Sequence, residues 1–268
     1  MIGVFDSGFG GLTIFKDIET SLPQYNYIYL GDNARAPYGN SDQETIYEYT
    51  KQAVDYLFGQ GCNLIILACN TASAGALRRI QQEHLPDKYP GKNVLGVIRP
   101  LVEEVSQMTK NKIVAVMGTL STVKSRTYIE EFLEQDGSID VMQQACPLLV
   151  PLIEKSWENR PEVDLLIREY VAELKDRKPD IVVLGCTHYG FVHDLIQEHF
   201  GKRTRVLDSG VIVAKKLADY LKKHYDLVPM AKGKPKRIFL TTNSRKIFDQ
   251  AAEKFLGRQI KSKKVKII

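Results

Sequence analysis

Short runs of apolar and β-branched residues recur along the chain, most of them separated by a longer segment with helical spacing. This alternation limits the fold more than any other feature. The runs are IGVF (2–5), YIYL (27–30), LIIL (64–67), VLGVI (94–98), KIVAVM (112–117), IDVM (139–142), DIVVL (180–184), RVL (205–207), RIFLT (237–241) and KVKII (264–268). A strand with one wet face alternates apolar and polar residues. Most of these runs are apolar nearly throughout, as strands covered on both faces must be. Between them, 42–58 repeats apolar side chains at Ile46, Tyr49, Ala53 and Leu57, a helical stripe. Ser41 with Glu44 reads as its capping box. Similar helical patterns occupy about 100–109, 122–135, 162–176, 211–223 and 243–256. The expected fold class is α/β, with mostly parallel sheets clothed by helices on both sides.

The chain also reads as two related halves. IGVFDSGFGGL leads to the run that ends at Cys69, and IVAVMGTLSTV leads, at a similar distance, to the run that ends at Cys186. The separations from Asp6 to Thr119 and from Cys69 to Cys186 are nearly equal. Two pseudo-symmetric α/β domains then each place a cysteine at the carboxyl end of a strand, where open α/β sheets bind their ligands. If the halves face each other, the thiols of LIILACNTASA (64–74) and DIVVLGCTHYG (180–190) meet across one cleft.

Opposed thiols suit a particular chemistry. A thiol titrates near enough to neutrality to give and take protons. A proton removed from one face of a carbon and returned from the other inverts that centre, so two equivalent groups on opposite faces are what racemisation without a cofactor needs. Each thiol also needs a neighbour that tunes its protonation. His188 is the candidate beside Cys186, and Asp6 the candidate beside Cys69. Taken singly, a histidine after a strand is more often a structural hydrogen bonder, and a buried cysteine is more often inert packing. The symmetry of the two tips outweighs those plainer readings. Ser7, Gly8, Gly10 and Gly11 form a tight strand-to-helix turn whose outward amides suit an anion. GFGG is too short for a dinucleotide fingerprint. Asn70, Thr71 and Thr187 can offer donors to a carboxylate. The loop GDNARAPYGN (31–40) reads as a rigid turn.

Composition narrows the rest. With 268 residues, 44% hydrophobic and 26% charged, the chain can bury the cores of two compact domains. The net charge of +5 is partly local, in Lys232, Lys234, Lys236, Arg237, Lys261, Lys263, Lys264 and Lys266. These lysines read as a solvated surface and a basic edge strand rather than a nucleic-acid footprint. No secretory leader fits MIGVFDSGFGG, and no run is long enough to span a bilayer. Cys62, Cys69, Cys146 and Cys186 form neither a CxxC pair nor a zinc-site spacing, so free thiols in a reducing cytoplasm are expected.

Together the motifs GVFDSGFGGL, YLGDNARAPYG, ACNTASA, GVIRP, GTLSTVKSRTY, ACPLLVPLIE, LGCTHYG and LDSG resemble, in order and over almost the whole length, the glutamate racemases. These belong to the cofactor-independent aspartate/glutamate racemase superfamily. The resemblance implies interconversion of L- and D-glutamate for peptidoglycan, with neither cofactor nor metal. It implies that Cys69 takes the α-proton of D-glutamate and Cys186 that of L-glutamate, assisted by Asp6 and His188. Asp6, Ser7, Tyr38, Gly39, Asn70, Thr71 and Thr187 then match substrate-binding positions, and Pro37, Thr119, Thr122 and Glu154 match positions lining the cleft. It also implies a homodimer, no membrane and no nucleic acid, and two domains: 1–97 with 208–268, and 98–207.

Two positions depart from the pattern. Gly190 stands where proline usually follows CTHY, and Arg99 stands before Pro100 where an acidic or apolar residue is more usual. The nearest rival is aspartate racemase or another 1,1-proton-transfer enzyme, against which APYG and CNTASA favour glutamate. A thiol redox or metal-binding protein needs closer cysteines. A nucleic-acid binder has only the C-terminal lysines in its favour, and steep salt dependence of DNA binding would mark it.

Overall fold

The computed structural model describes residues 1–156 and 158–267. The chain opens with β1 (Ile2–Asp6), α1 (Gly11–Ser21), β2 (Tyr27–Gly31), α2 (Gln43–Gly59), β3 (Leu64–Leu67) and α3 (Asn70–Arg79). Next come α4 (Leu85–Lys88), β4 (Asn93–Gly96), α5 (Ile98–Met108), β5 (Ile113–Gly118), α6 (Leu120–Ser125), α7 (Thr127–Gln135) and β6 (Asp140–Ala145). Then follow α8 (Leu149–Glu154), α9 (Pro161–Asp176), β7 (Ile181–Gly185), α10 (His193–Phe200) and β8 (Arg205–Leu207). The chain closes with α11 (Gly210–Lys223), β9 (Arg237–Thr241), α12 (Arg245–Leu256) and β10 (Ser262–Lys264).

Two sheets result, ordered β10-β9-β2-β1-β3-β4 and β6-β5-β7-β8. Every pairing is parallel. The segment β2-β1-β3-β4 repeats the order β6-β5-β7-β8, so the duplication read in the sequence is a duplication of topology. β9 and β10 extend the first sheet only. The chain therefore crosses between the sheets twice, from β4 into α5 and from β8 into the segment beginning with α11.

Strand alternation sends apolar side chains to both faces of each sheet. Ile2, Val4, Tyr27 and Tyr29 meet Leu12, Phe15, Val213 and Leu217 of α1 and α11. Phe5, Ile28, Ile65 and Leu67 meet Ile46, Val54 and Leu57 of α2 and Ala72 and Ala76 of α3. The second sheet is covered in the same way, by α8, α9 and α10 on one face and by α5 and α7 on the other.

Several local expectations are corrected. Asp42, not Ser41, caps α2: its carboxylate accepts from the Thr45 amide at 2.8 Å, while Glu44 reaches across to Arg79 at 2.7 Å. Glu44 is thus drawn off by a neighbouring helix, and no capping box forms. The helical stretch 122–135 is broken at Arg126, whose φ of 59° starts a second helix. The Ser125 hydroxyl accepts from the Thr127 amide at 3.3 Å and satisfies the break locally. The strand expected over 94–98 ends at Gly96, because Ile98 already opens α5. The last strand expected, 264–268, sits earlier as β10, and Ile268 lies outside the described residues. β10 is an edge strand whose Lys263 and Lys264 are exposed, in keeping with their reading as edge charges.

Candidate active site between the sheets

The carboxyl ends of β1, β2 and β3 face those of β5, β6 and β7 across a narrow cleft, with a cavity volume of about 40 Å³. Its lining includes Ser7, Gly8, Pro37, Tyr38, Gly39, Cys69, Asn70 and Thr71 from the first half. The second half adds Thr119, Cys146, Pro147, Val150, Pro151, Glu154, Cys186, Thr187 and His188. Cys69 follows β3 and Cys186 follows β7, equivalent strands of the two sheets, so both thiols reach one space. Of the site residues singled out in the sequence, Asp6, Gly10, Gly11 and Thr122 stand behind the lining.

Cys69 precedes α3, and its sulfur accepts from the Ala72 amide at 3.4 Å. The Ser7 hydroxyl lies 3.3 Å from the same sulfur. Ser7, not Asp6, is therefore the direct side-chain contact of this thiol. Burial pushes Cys69 up to about 11, and the nearby Asp6 charge adds to the rise. Asp6, which ends β1, is itself buried and raised, chiefly by burial and against the opposing pull of His188. Its Oδ2 accepts from the Gly8 amide at 2.8 Å.

That last bond changes the reading of the glycine-rich turn. The Gly8 amide is spent on Asp6 and is not free for an anion. Gly10 and Gly11 serve close packing instead. A Cβ on Gly10 would lie 2.2 Å from Thr187 Oγ1 and 2.5 Å from His188 Nδ1, and one on Gly11 would lie 2.6 Å from Asp6 Cβ. The turn after β1 thus presses on both candidate assistants at once.

On the other side, Cys186 Sγ lies 3.9 Å from His188 Nδ1, and His188 Nε2 lies 3.1 Å from Glu154 Oε1. This is a thiol–imidazole–carboxylate relay contained in the second half. Burial drives Cys186 well above the ordinary thiol value, and charge on Cys69 and Asp6 raises it further.

The remaining side chains divide into donors and supports. Asn70 Oδ1 accepts from the Tyr128 hydroxyl at 2.7 Å, while its buried Nδ2 has no protein partner. An unpaired buried N–H group is costly unless something completes it, so Asn70 presents a donor to the cleft it lines. Thr71, Thr119 and Thr122 share their hydroxyls in a triangle with sides of 2.9, 3.0 and 3.3 Å, which ties the halves together beside the cleft. The Tyr38 hydroxyl turns away and donates to Asp32 at 2.5 Å, so only the rest of this residue can touch a ligand. Gly39 is needed where it is, because a Cβ would meet Thr119 Cβ at 2.8 Å.

Sequence reasoning missed Tyr128, Cys146, Pro147, Val150 and Pro151. The segment ACPLLVPLIE carried the signal for four of them. Tyr128 closes the motif GTLSTVKSRTY, but its role depends on Asn70, 58 positions earlier. Among the described residues, no group of three or more His, Cys, Asp or Glu is placed to hold a metal ion, and no helix is long and apolar enough to cross a membrane.

Two buried thiols on equivalent strands, each with its own polar neighbour, line one small space, an arrangement suited to proton transfer at the two faces of a carbon. A family model described as Asp/Glu/Hydantoin racemase matches residues 2–217, and the chain belongs to that family. Its full-length relatives include the glutamate racemase of Roseobacter denitrificans, 40% identical, with 97% of each chain covered. A crystal structure of a glutamate racemase isoform from Bacillus anthracis superposes with a TM-score of 0.92 at 31% identity, covering 100% of this chain and 97% of that one. The Francisella tularensis glutamate racemase in complex with D-glutamate gives 0.90 at 31% identity, with coverage of 99% and 97%.

Proposed function

We propose that the chain interconverts L- and D-glutamate by proton transfer between Cys69 and Cys186, supplying D-glutamate for peptidoglycan. The observation that carries this is the facing pair of thiols on equivalent strands. With D-glutamate bound, Cys69 Sγ as thiolate takes the α-proton. The electron pair left on Cα delocalises into the adjoining carboxylate, and Cys186 Sγ–H returns a proton from the opposite face. With L-glutamate the roles reverse, as microscopic reversibility requires.

Burial disfavours either thiolate at rest, but it also makes the thiolate a stronger base toward a weak carbon acid. The substrate ammonium, brought within about 4–6 Å, favours the charged thiol again. The thiolate is thus populated only where the substrate sits. Asn70 Nδ2 supplies a donor for a substrate carboxylate, with Ser7, Thr71 and Thr187 around it. His188, oriented by Glu154, moves protons to and from Cys186. Asp6 acts on the Cys69 side through its charge and through the turn it anchors.

In the same reading, 1–97 with 208–268 forms one domain and 98–207 the other, a division supported by sheet membership and the two crossovers. The enzyme works in the cytoplasm as a homodimer, and its four free thiols suit a reducing compartment. The test is Cys69→Ser and Cys186→Ser, assayed for racemisation and for solvent deuterium entering the α-carbon of D-glutamate, L-glutamate and aspartate. Each variant is expected to fold and to lose racemisation. Full activity in either, or equal turnover of aspartate, defeats the proposal.

A further inference from the structure

Behind the cleft, where the chain crosses between the sheets, lies a set of charged side chains that the proton chemistry leaves unused. Arg78, near the end of α3, pairs with Glu134 at 2.7 Å and with Glu131 at 3.2 Å, both on α7. Arg99, at the start of α5, reaches the same two carboxylates at 3.0 Å each and approaches Glu103 at 3.6 Å. Glu103 in turn holds Lys216 of α11 at 3.0 Å. The network joins the first half, the second half and both crossover helices. Isolated surface pairs contribute little, but networks with a desolvated member are less screened. Glu131 is such a member, with its side chain only 11% exposed.

The network sits at the far end of a seam that begins in the cleft. α3 starts immediately after Cys69, and one of its faces runs along α6 and α7. Asn70 accepts from Tyr128, Thr71 meets Thr119, the Ala74 carbonyl accepts from Thr127 at 3.0 Å, and Arg78 holds Glu131. Positions 70, 74 and 78 are four apart, one face of a helix. Tilting α3 against α7 at the Arg78 end therefore swings Cys69 relative to Cys186.

We propose that Arg78 and Arg99, acting through Glu131 and Glu134, are positioning residues that hold the two halves at the angle at which Cys69 and Cys186 face one cleft. Arg99, the departure noted in GVIRP, then adds a second cation to a clasp that Arg78 would otherwise hold alone. Only the kinetic consequence rests on the racemase reading.

The test is an Arg78→Met, Arg99→Met double variant, which keeps the aliphatic stems. The first readout is the rate of iodoacetamide labelling of each cysteine, resolved by mass spectrometry, with the core thiol Cys62 as the control for unfolding. Cys69 and Cys186 are expected to label about fivefold faster while Cys62 stays at the wild-type rate, because the opened arrangement gains population. Unchanged cleft labelling overturns the proposal, as does a rise in Cys62 that keeps pace. The second readout is kinetic: KM for both glutamate enantiomers rises about threefold or more with kcat within about twofold, since only the competent fraction binds. Arg99→Lys in the Arg78 background restores most of it. A fall in kcat with KM unchanged overturns the positioning role. If the double variant does not fold, Glu134→Gln, at a partly exposed position, carries the same labelling test. If wild-type protein fails to racemise glutamate, the functional reading falls, and the labelling still decides the clasp.

Discussion

Replacing Gly10 with alanine adds one methyl group where the structure has no room for it. The new carbon would sit 2.2 Å from Thr187 Oγ1, 2.5 Å from His188 Nδ1 and 2.7 Å from His188 Cε1. Ordinary contact needs about 3.4 Å or more, so these side chains or the turn must move by roughly an ångström. The movable parts are the wrong ones to move. His188 is held between Cys186 and Glu154, and the turn carries Ser7, the contact of Cys69. Overpacking of this kind costs about 1–3 kcal/mol of stability, which a chain of this size tolerates. A misplacement of about 1 Å at reacting groups costs on the order of a hundredfold in rate. The expected result is a folded protein, with Tm lowered by a few degrees and kcat/KM down about a hundredfold. Because the two enantiomers are equal in free energy, kcat/KM must fall equally in both directions, and coupled assays from each side check this. Wild-type rates in Gly10→Ala would refute the view that this glycine is there for the approach of His188.

Glu154→Gln keeps the shape of the partner of His188 but removes its charge, so kcat is expected to fall about tenfold with little change in KM; steady-state kinetics decide it. Tyr38→Phe removes one hydrogen bond from the buried Asp32 carboxylate, which keeps Arg35 and Thr242 as partners. It should cost about 1–3 kcal/mol in denaturant unfolding while KM stays within about twofold, because the hydroxyl faces away from the cleft. Stability should also fall with rising pH in alkali. An unfolded thiol loses its proton near 9, whereas Cys62 and Cys69 hold theirs to about 11 and Cys146 to about 12. Between those values the unfolded chain binds fewer protons, so unfolding becomes easier by about 1.4 kcal/mol per pH unit for each such thiol. Urea melts of wild type and Cys62→Ala from pH 8 to 11 test this, and the variant should show the shallower slope.

Much of the fold was legible because apolar runs such as LIIL and DIVVL can only be doubly covered strands, and two of them end in cysteine. Their matched positions led to the cleft before any coordinate. What stayed hidden depended on partners distant in sequence. Glu44 looked like half of a capping box until α3 brought Arg79 to it. Arg126 gives no local sign of a left-handed φ, yet it splits a helix so that Tyr128 can meet Asn70. The glycine-rich turn looked like an anion cradle because composition shows that space is needed, not what fills it. Tyr38 could be read in APYG as a ligand contact, but only the fold shows its hydroxyl spoken for by Asp32.

The first sheet is finished by strands that the ribosome delivers after the whole of the second sheet. β2 is paired on one side by β1 and on the other by β9, which comes from residues 237–241. Among the described residues, the second sheet draws only on 113–207. During synthesis the later half can therefore complete its hydrogen bonding while the earlier one still shows a bare ladder on β2, the kind of edge that recruits strands from other chains. Trimming the tail back past β9 would leave the mature protein in that same adhesive condition, with both reactive sulfurs still present.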